Sequence, residues 1–246
     1  MTAAQPDLSD FSGLLVLVGA GKMGSALLEG WLRFGLDPKR VAVLEPQPAP
    51  QIAAEALPPL APMVGAATVV VSIMAGRTLD FIAGALNKPC AVVRAMPNTP
   101  AAIGRGITVA VARGTNAAQR SLADRLLAAT GSVEWTEAEA LMDAVTAVSG
   151  SGPAYVFLLA EALTAAGIDR GLPAALAAKL ARETVTGSGE LLHRSELDAA
   201  TLRQNVTSPG GTTAAALDVL MGRDGLTALM TKAVAAATKR SRELAG

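Results

Sequence analysis

The sequence has few of the residues on which acid–base and metal chemistry depend. Its 246 residues include one cysteine, Cys90, and one histidine, His193. A single cysteine excludes an internal disulfide and fits a reducing cytoplasm, where it serves most simply as a small apolar side chain. A single histidine, beside Arg194 late in a helical pattern, is typical of a solvated surface residue and excludes a histidine cluster. We therefore expect no metal site, and chemistry that needs little proton transfer from the protein.

Net charge is also lacking, and this narrows the choice of partners. Lys and Arg number 21, as do Asp and Glu, which argues against a nucleic acid or an anionic membrane. The N-terminus carries Asp7 and Asp10 but no Lys or Arg, so no signal peptide is predicted. The uncharged stretch 61–76 is interrupted by Pro62 and Gly65 and is not predicted to span a membrane. We expect a cytoplasmic protein whose 51% hydrophobic residues form a packed core.

A glycine-rich turn follows the first apolar run, residues 14–18. Gly19, Gly21 and Gly24 form the pattern Gly-x-Gly-x-x-Gly, and a helical pattern opens at Ser25. Gly19 permits the turn, Gly21 lets the backbone approach a pyrophosphate, and Gly24 lets the helix lie close to the strand. Free N–H groups at the helix start favour phosphates. Glu45 ends the next predicted strand, where an acid would bind a ribose hydroxyl. The alternative is a glycine turn without a ligand.

Strand and helix patterns alternate up to Trp135, which predicts an α/β domain with a doubly wound parallel sheet. Only helical patterns follow, so we divide the chain into a dinucleotide-binding domain, residues 1–136, and an all-helical dimerisation and substrate domain, residues 137–246. The predicted strands are 14–18, 41–44, 68–73, 91–94, 106–112 and 132–135. The predicted helices of the first domain are 25–34, 78–86 and 117–130, and the pattern at 51–56 suggests a further short helix. The predicted helices of the second are 137–148, 154–166, 173–192, 195–205, 213–220 and 227–244, with Ser195 capping the fourth. The helix at 154–166 is apolar on nearly every face, and such a helix is buried, often between subunits or domains.

Two loops carry groups suited to a ligand. Residues 208–213, Ser-Pro-Gly-Gly-Thr-Thr, precede a helix, where two glycines and free N–H groups would form a cradle for a carboxylate. An ordinary helix cap is the equal alternative. Residues 96–100, Met-Pro-Asn-Thr-Pro, follow a strand at the edge of the sheet where ligands bind; a rigid turn with Thr99 as a cap is the alternative. Arg94 would pair with an acid inside the fold, and Lys22 would either neutralise a phosphate or remain solvated.

Several motifs together, in this order, resemble the pyrroline-5-carboxylate reductase family. They are GAGKMG at 19–24, VVSIMAG at 70–76, RAMPNTP at 94–100, AVSGSGPAY at 147–155 and VTSPGGTT at 206–213. The resemblance covers residues 14–244. It implies a Rossmann domain plus a helical dimerisation domain, dimers that assemble further into rings, and reduction of 1-pyrroline-5-carboxylate to L-proline by NADPH or NADH. Hydride transfer to an already protonated imine fits the scarcity of acid–base residues.

The resemblance also implies roles for individual residues. The loop would bind the substrate carboxylate from the partner subunit's helical domain, with the hydroxyl of Thr213 facing the ring nitrogen as the catalytic group. The backbone of Met96 and Pro97, together with Asn98, would flank the nicotinamide. The implied substrate-binding residues are Ser208, Gly210, Gly211, Thr212 and Thr213. The implied cofactor-binding residues are Gly19, Ala20, Gly21, Lys22, Met23, Gly24, Glu45, Met96, Pro97 and Asn98.

The chain departs from the family pattern at two places. The link between the second strand and the strand at 68–73 lacks about 30 residues, a strand and a helix by the family pattern. We expect the strand at 68–73 to move in and pair with the first strand, because an open central edge is costly. Glu45 stands where many members have a small polar residue, and its carboxylate favours NADH over NADPH.

Two further functions stay open. A related imine reductase would keep the same scaffold with another substrate. A catalytically weak or inactive binding protein would keep the helical dimer, with a cofactor site damaged by the short link. The intact glycine turn and the intact loop at 208–213 favour the reductase, whereas the short link favours the inactive protein.

Overall fold

Strand and helix alternate through the first part of the chain, as the sequence predicts. The structure, a computed structural model, describes residues 6–18, 20–44 and 57–245. Two units are distinguished by their internal contacts: one runs to Ser151 and includes the segment from Ala237 onward, and the other is Gly152–Ala236. The strands are β1 (Leu15–Val18), β2 (Val41–Leu44), β3 (Val69–Ser72), β4 (Ala91–Met96), β5 (Gly106–Arg113) and β6 (Gly131–Trp135).

Helices connect these strands, with shorter turns between. They are α1 (Lys22–Arg33), α2 (Leu79–Leu86), α3 (Ala117–Ala128) and the single turn α4 (Met142–Val145). Turns of 3-10 helix lie at Pro38–Arg40, Pro58–Met63, Thr99–Ile103 and Glu139–Leu141, and a π-helical turn, Thr146–Gly150, follows α4. The short helix that the sequence suggests at 51–56 lies outside the described residues.

The strands form two sheets rather than one. Among the described residues, β1 pairs with β2 alone, in parallel, and a separate sheet has the order β3-β4-β5-β6. The predicted pairing of residues 68–73 with the first strand is therefore wrong. The Trp31 indole of α1 donates to the Leu126 carbonyl of α3 at 2.8 Å, which anchors the helix that follows β1 to α3. Side chains such as Ile73 fill the seam between the sheets instead of backbone hydrogen bonds.

The four-stranded sheet contains one antiparallel pair. β3 and β4 are parallel, as are β5 and β6, but β4 and β5 run antiparallel. Residues 97–105 alone connect β4 to β5, and a parallel crossover needs a dozen or more residues. The predicted class, a Rossmann-type sheet domain followed by helices, is confirmed; the uniformly parallel sheet is not.

β4 is covered on both faces. Val92 packs with Ile82 and Leu86 of α2 on one side, whereas Val93 packs with Leu127 of α3 on the other. Successive side chains of a strand point to opposite faces, so a continuous apolar run suits a strand between two helical layers. This central strand ends at Met96, which places the loop 97–105 at the carboxyl edge of the sheet.

The second unit is helical. It contains α5 (Gly152–Asp169), α6 (Ala174–Arg194), α7 (Ala199–Asn205), α8 (Thr212–Leu220) and most of α9 (Leu226–Ala245). α5 packs against α6, where a Cβ on Gly167 would lie 3.2 Å from that of Ala177. The sequence predicts that the helix at 154–166 is buried, as such apolar helices often are between subunits or domains. Within the described chain, no residue of α5 is buried.

α7 begins later than predicted. Asp198, not Ser195, is its N-cap, and its Oδ1 accepts from the Thr201 backbone N–H at 2.7 Å. Ser195 instead ends α6, and its hydroxyl accepts from the N–H of Leu197. Both side chains are good caps, and the sequence alone ranks them equally.

Candidate active site

The glycine turn joins β1 to α1. Gly21 is the N-cap of α1, so the helix begins at Lys22 and not at the predicted Ser25. Ser25 fixes the turn from inside, because its hydroxyl donates to the Ala20 carbonyl at 2.6 Å. A Cβ built on Gly21 would meet nothing within 4 Å. The protein thus leaves open space beside the first N–H groups of the helix, which fits an approaching phosphate.

The other residues assigned to the turn differ in burial. Lys22 is exposed, Met23 is half-buried and Gly24 is buried. Gly19 and Glu45 lie outside the described residues, so their predicted roles stay predictions. β2 ends at Leu44, one residue before Glu45.

The loop after β4 is held by Asn98. Its Oδ1 accepts from the Ile107 backbone N–H at 3.0 Å, which ties the end of β4 to the start of β5. Pro97 is buried, and Asn98 precedes the 3-10 turn Thr99–Ile103 without a side-chain cap. The rigid-turn interpretation is therefore confirmed in part, but Thr99 is not the cap. With Oδ1 engaged, the Asn98 Nδ2 group is the end that suits a ligand.

The π-helical turn Thr146–Gly150 lies against this loop. A Cβ on Gly150 would come within 2.6 Å of the Met96 Cε atom, so the glycine permits the contact. The Ser151 N–H donates to the Thr146 carbonyl at 2.9 Å, the spacing of five residues that defines a π-turn. Gly150 thus lies beside the carboxyl end of β4, a place that the sequence does not predict for it.

Arg94 pairs with an acid inside the fold, as predicted. Its guanidinium is 2.9 Å from Glu139 Oε1, and the side chains are 6% and 27% exposed. The same oxygen accepts from the Leu79 N–H at 2.8 Å, at the start of α2. A carboxylate suits a helix N-terminus, so Glu139 joins β4, α2 and the 3-10 turn 139–141 electrostatically.

The loop 208–213 opens α8 in the second unit. Gly211 is the helix N-cap, and Gly210 adopts a left-handed conformation with φ of 70°. The Gly211 N–H donates to the Ser208 carbonyl at 3.0 Å and closes the turn. Thr212 and Thr213 are the first two helical residues, so their N–H groups lack acceptors within the helix. Ser208, Gly210 and Thr212 are exposed, and the geometry suits a carboxylate.

Few groups in the described part of the chain are electrostatically unusual. Burial raises the pKa of the Cys90 thiol, which makes it a poor nucleophile. His193 is exposed near the end of α6. Among the described residues there is no group of three or more His, Cys, Asp or Glu side chains that could hold a metal ion.

The sequence and the fold match one family throughout. A model described as pyrroline-5-carboxylate reductase dimerisation matches residues 139–244. A pyrroline-5-carboxylate reductase of Pseudomonas aeruginosa is 44% identical over 187 residues, which are 76% of this chain and 68% of that protein. The chain belongs to the pyrroline-5-carboxylate reductase family. The Pseudomonas protein is the longer of the two, as expected if the link after β2 is short here.

Solved structures of the family share the fold. The pyrroline-5-carboxylate reductase of Coxiella burnetii has a TM-score of 0.86 and 32% identity, covering 95% of this chain and 99% of that one. The pyrroline carboxylate reductase of Plasmodium falciparum, solved with NADP bound, has a TM-score of 0.81 and 26% identity, covering 96% and 99%.

The dimerisation match gives a use for the apolar surface of the second unit. By length and composition alone, the helical stretch Glu139–Asp169 could cross a membrane. The same stretch opens the segment that matches the dimerisation model. Phe157 and Leu158 of α5 are 64% and 62% exposed in the single chain, which is expected of a helix that another subunit covers in this family.

Proposed function

We propose that this chain reduces 1-pyrroline-5-carboxylate to L-proline with NADH or NADPH. The hydride passes to the carbon of the protonated C=N bond, and the cofactor leaves oxidised. The observation that carries the proposal is the open glycine turn at the start of α1, in a chain that belongs to this reductase family. Space beside Gly21 and the free N–H groups next to it fit a pyrophosphate.

The cofactor would lie along the carboxyl ends of the strands. Gly19, Ala20, Gly21, Lys22, Met23 and Gly24 would hold its pyrophosphate, and Met96, Pro97 and Asn98 would line the nicotinamide side. When bound, the cofactor supplies the hydride. The Plasmodium relative, with NADP bound, supports a dinucleotide in this family.

The substrate would be held by the loop 208–213. N–H groups at the start of α8, with the hydroxyls of Ser208 and Thr212, would bind the carboxylate, and Gly210 and Gly211 would let it approach. The Thr213 hydroxyl would hydrogen-bond to the ring nitrogen and orient the C=N bond. In this proposal the loop serves the cofactor domain of the partner subunit, so the chain works as a homodimer; rings of dimers and a cytoplasmic location are its further expectations.

The proposal assigns cofactor binding and substrate binding to the two domains that the sequence predicts. Residues 1–136 would bind the cofactor, and residues 137–246 would dimerise and bind the substrate. Glu45, one residue beyond β2, would accept hydrogen bonds from the ribose 2′-hydroxyl and repel a 2′-phosphate, which favours NADH. Replacing Glu45 by Ser should improve the use of NADPH, and an unchanged preference would count against this role.

The divided sheet favours a second candidate function. β1 and β2 carry the glycine turn, yet they are not hydrogen-bonded to the sheet that carries Met96–Asn98. If the two parts of the cofactor site are not aligned, the chain is a dimeric binding protein with weak or no activity. A related imine reductase differs from the main proposal only in substrate.

Oxidation of NADH and NADPH by the purified protein, with and without pyrroline-5-carboxylate, tests these functions. Substrate-dependent oxidation supports the reductase, and a preference for another cyclic imine supports the related enzyme. Folded dimer without oxidation of either cofactor supports the binding protein. Thr213→Val should lower kcat by at least about tenfold, whereas Thr186→Val, which removes an exposed hydroxyl bonded to the Arg182 carbonyl of α6, should not.

A further inference from the structure

Ser149 is exceptional among the hydroxyl groups of the helices. Its Oγ atom is buried and has no hydrogen-bond partner, the one such side-chain atom in the described part of the protein. Leaving a buried hydroxyl unpaired costs about 1–3 kcal/mol, so such groups are usually satisfied. The exception calls for an explanation from its surroundings.

Other helical hydroxyls in this chain show what Ser149 lacks. Hydroxyls of this kind usually donate to the carbonyl one turn earlier. Four threonines of the helices donate to the carbonyl four residues before them, at 2.8–3.0 Å: Thr146, Thr164, Thr186 and Thr231. Ser149 stands within the π-turn Thr146–Gly150, where the wider winding changes the placement of the preceding carbonyls. The local backbone therefore leaves the hydroxyl available.

The surroundings of Ser149 belong to the carboxyl edge of the sheet. Its neighbour Gly150 lies against Met96, the last residue of the central strand β4. In open α/β sheets, ligands bind beyond the carboxyl ends of such strands. In the proposed function the start of α1 binds the phosphates, so the group that reaches the end of β4 would be the nicotinamide end of the dinucleotide.

We propose that Ser149 binds the carboxamide of the nicotinamide ring. A hydroxyl both donates and accepts, which matches a carboxamide with its C=O and NH₂ groups. The inference rests on the proposed function, because it needs a nicotinamide cofactor at this edge. Ser149 is then a cofactor-binding residue that fixes which face of the ring is presented, and its π-turn is the device that keeps its hydroxyl free of the helix.

The test compares Ser149→Ala with Thr146→Val. The second variant is the matched control, because it removes a hydroxyl of the same π-turn that already donates to the Met142 carbonyl. The dissociation constant of NADH and NADPH is measured by nicotinamide fluorescence without substrate, together with Tm and the KM of each reactant. Ser149→Ala should raise the dissociation constant of the reduced cofactor about tenfold and leave Tm equal or higher, because it removes an unpaired buried hydroxyl. Thr146→Val should leave the dissociation constant unchanged and lower Tm.

Three results would overturn the inference. The first is an unchanged cofactor dissociation constant in Ser149→Ala, which would mean that a buried water satisfies the hydroxyl. The second is a rise in the KM of the imine without a change in cofactor binding. The third is an equal loss of cofactor affinity and an equal fall in Tm in both variants. A wild-type protein that binds neither cofactor would overturn the proposed function as well, whereas normal wild-type binding with an unaffected Ser149→Ala would overturn the inference alone.

Discussion

Two glycines at and within α1 differ in the space around them. A Cβ on Gly21 would meet nothing within 4 Å, whereas one on Gly30 would lie 2.6 Å from the Ala129 carbonyl oxygen. Gly21→Ala should therefore leave the free energy of unfolding within about 0.5 kcal/mol of wild type but raise the dissociation constant of NADH at least about tenfold. Chemical denaturation and cofactor fluorescence measure the two effects.

Gly30→Ala is the matched variant, with the same added methyl group on the same helix. It forces α1 away from the end of α3 and should lower the free energy of unfolding by about 1–3 kcal/mol. If Gly21→Ala were the more destabilising of the two, the space beside the turn would be structural and not a ligand site.

The ion pair between Arg94 and Glu139 offers a second comparison. Glu139→Gln leaves a buried guanidinium without its countercharge, and should cost about 2–3 kcal/mol of unfolding free energy, somewhat less than a fully buried pair because Glu139 is partly exposed. Glu137→Gln breaks an exposed pair with Arg120 and should cost about 0.5 kcal/mol or less. Urea denaturation measures the free energy of unfolding of both variants, and an equal decrease in the two would contradict this account.

At the residue scale, the sequence predicts which residues are functionally or structurally important better than it predicts which residues they contact. The glycine turn and an acid for Arg94 follow from local pattern, because a strand, a turn and a helix are adjacent in the chain. That the acid is Glu139, 45 residues away, depends on how α2 and the turn 139–141 pack. Ser149 stands within a recognised motif, but a π-turn has no signature in the spacing of apolar residues, so its unpaired hydroxyl is visible only in three dimensions.

The start of α7 is an element whose stability depends on pH. Hydrogen bonds from the Thr201 backbone and side chain hold the pKa of Asp198 below its usual range. A lowered pKa in the folded state stabilises the fold above the unfolded pKa of about 3.9, and this contribution is lost as pH falls through the folded value. Asp198→Asn should therefore lower the free energy of unfolding at pH 6 and have a smaller effect near pH 3.

Denaturation at several pH values, followed by circular dichroism, checks this dependence. Ser195→Ala is the control, because Ser195 ends α6 and does not cap α7; its effect should be the same at both pH values. A constant difference between wild type and Asp198→Asn would show that the cap acts without its charge.

The two sheets should differ in hydrogen exchange. β4 is paired on both sides, with β3 and β5, whereas in the part of the chain that the structure describes β1 is paired on one side only. Amides that open only with the whole domain exchange most slowly. We expect the slowest exchange in β4 and faster exchange in β1, measured by mass spectrometry of peptides from the native protein. Equal protection of the two strands would mean that the seam is closed in solution.

At the element scale, spans are easier to predict than pairings. Most strands and helices lie within a few residues of their predicted limits, because apolar periodicity and caps are local. The antiparallel β4–β5 pair is visible in hindsight from the short connection 97–105. The separation of β1 from β3 is not, since it depends on side chains such as Ile73 that pack against clusters of both sheets, and no local pattern describes such packing.

At the scale of the whole molecule, the exposed apolar face of α5 should control assembly. Phe157 is 64% exposed in the single chain, so Phe157→Glu should place a charge in the dimer interface and raise the dimer dissociation constant at least about tenfold. Ile103→Glu is the control, because Ile103 is 74% exposed on the 3-10 turn of the first unit. Sedimentation velocity over a range of protein concentrations measures the dimer dissociation constant of each variant.

The architecture as a whole is the best predicted level. Alternating patterns followed by helices alone, together with motifs in a fixed order, suffice for the class and the family. The sequence also predicts that the helix at 154–166 is apolar on nearly every face and is buried, as such helices often are between subunits or domains. No residue of α5 is buried within the described chain, so the sequence does not show which surface covers it.

The seam between the two sheets gives the dinucleotide a mechanical task. A cofactor that rests its pyrophosphate on the turn after β1 and its nicotinamide at the end of β4 would act as a strut across a joint that the backbone leaves open. In such a protein the ligand completes the scaffold as well as the chemistry. Loss of the cofactor would then destabilise the contact between the two sheets first, and the part of the domain that carries β1 and β2 would be the first to unfold.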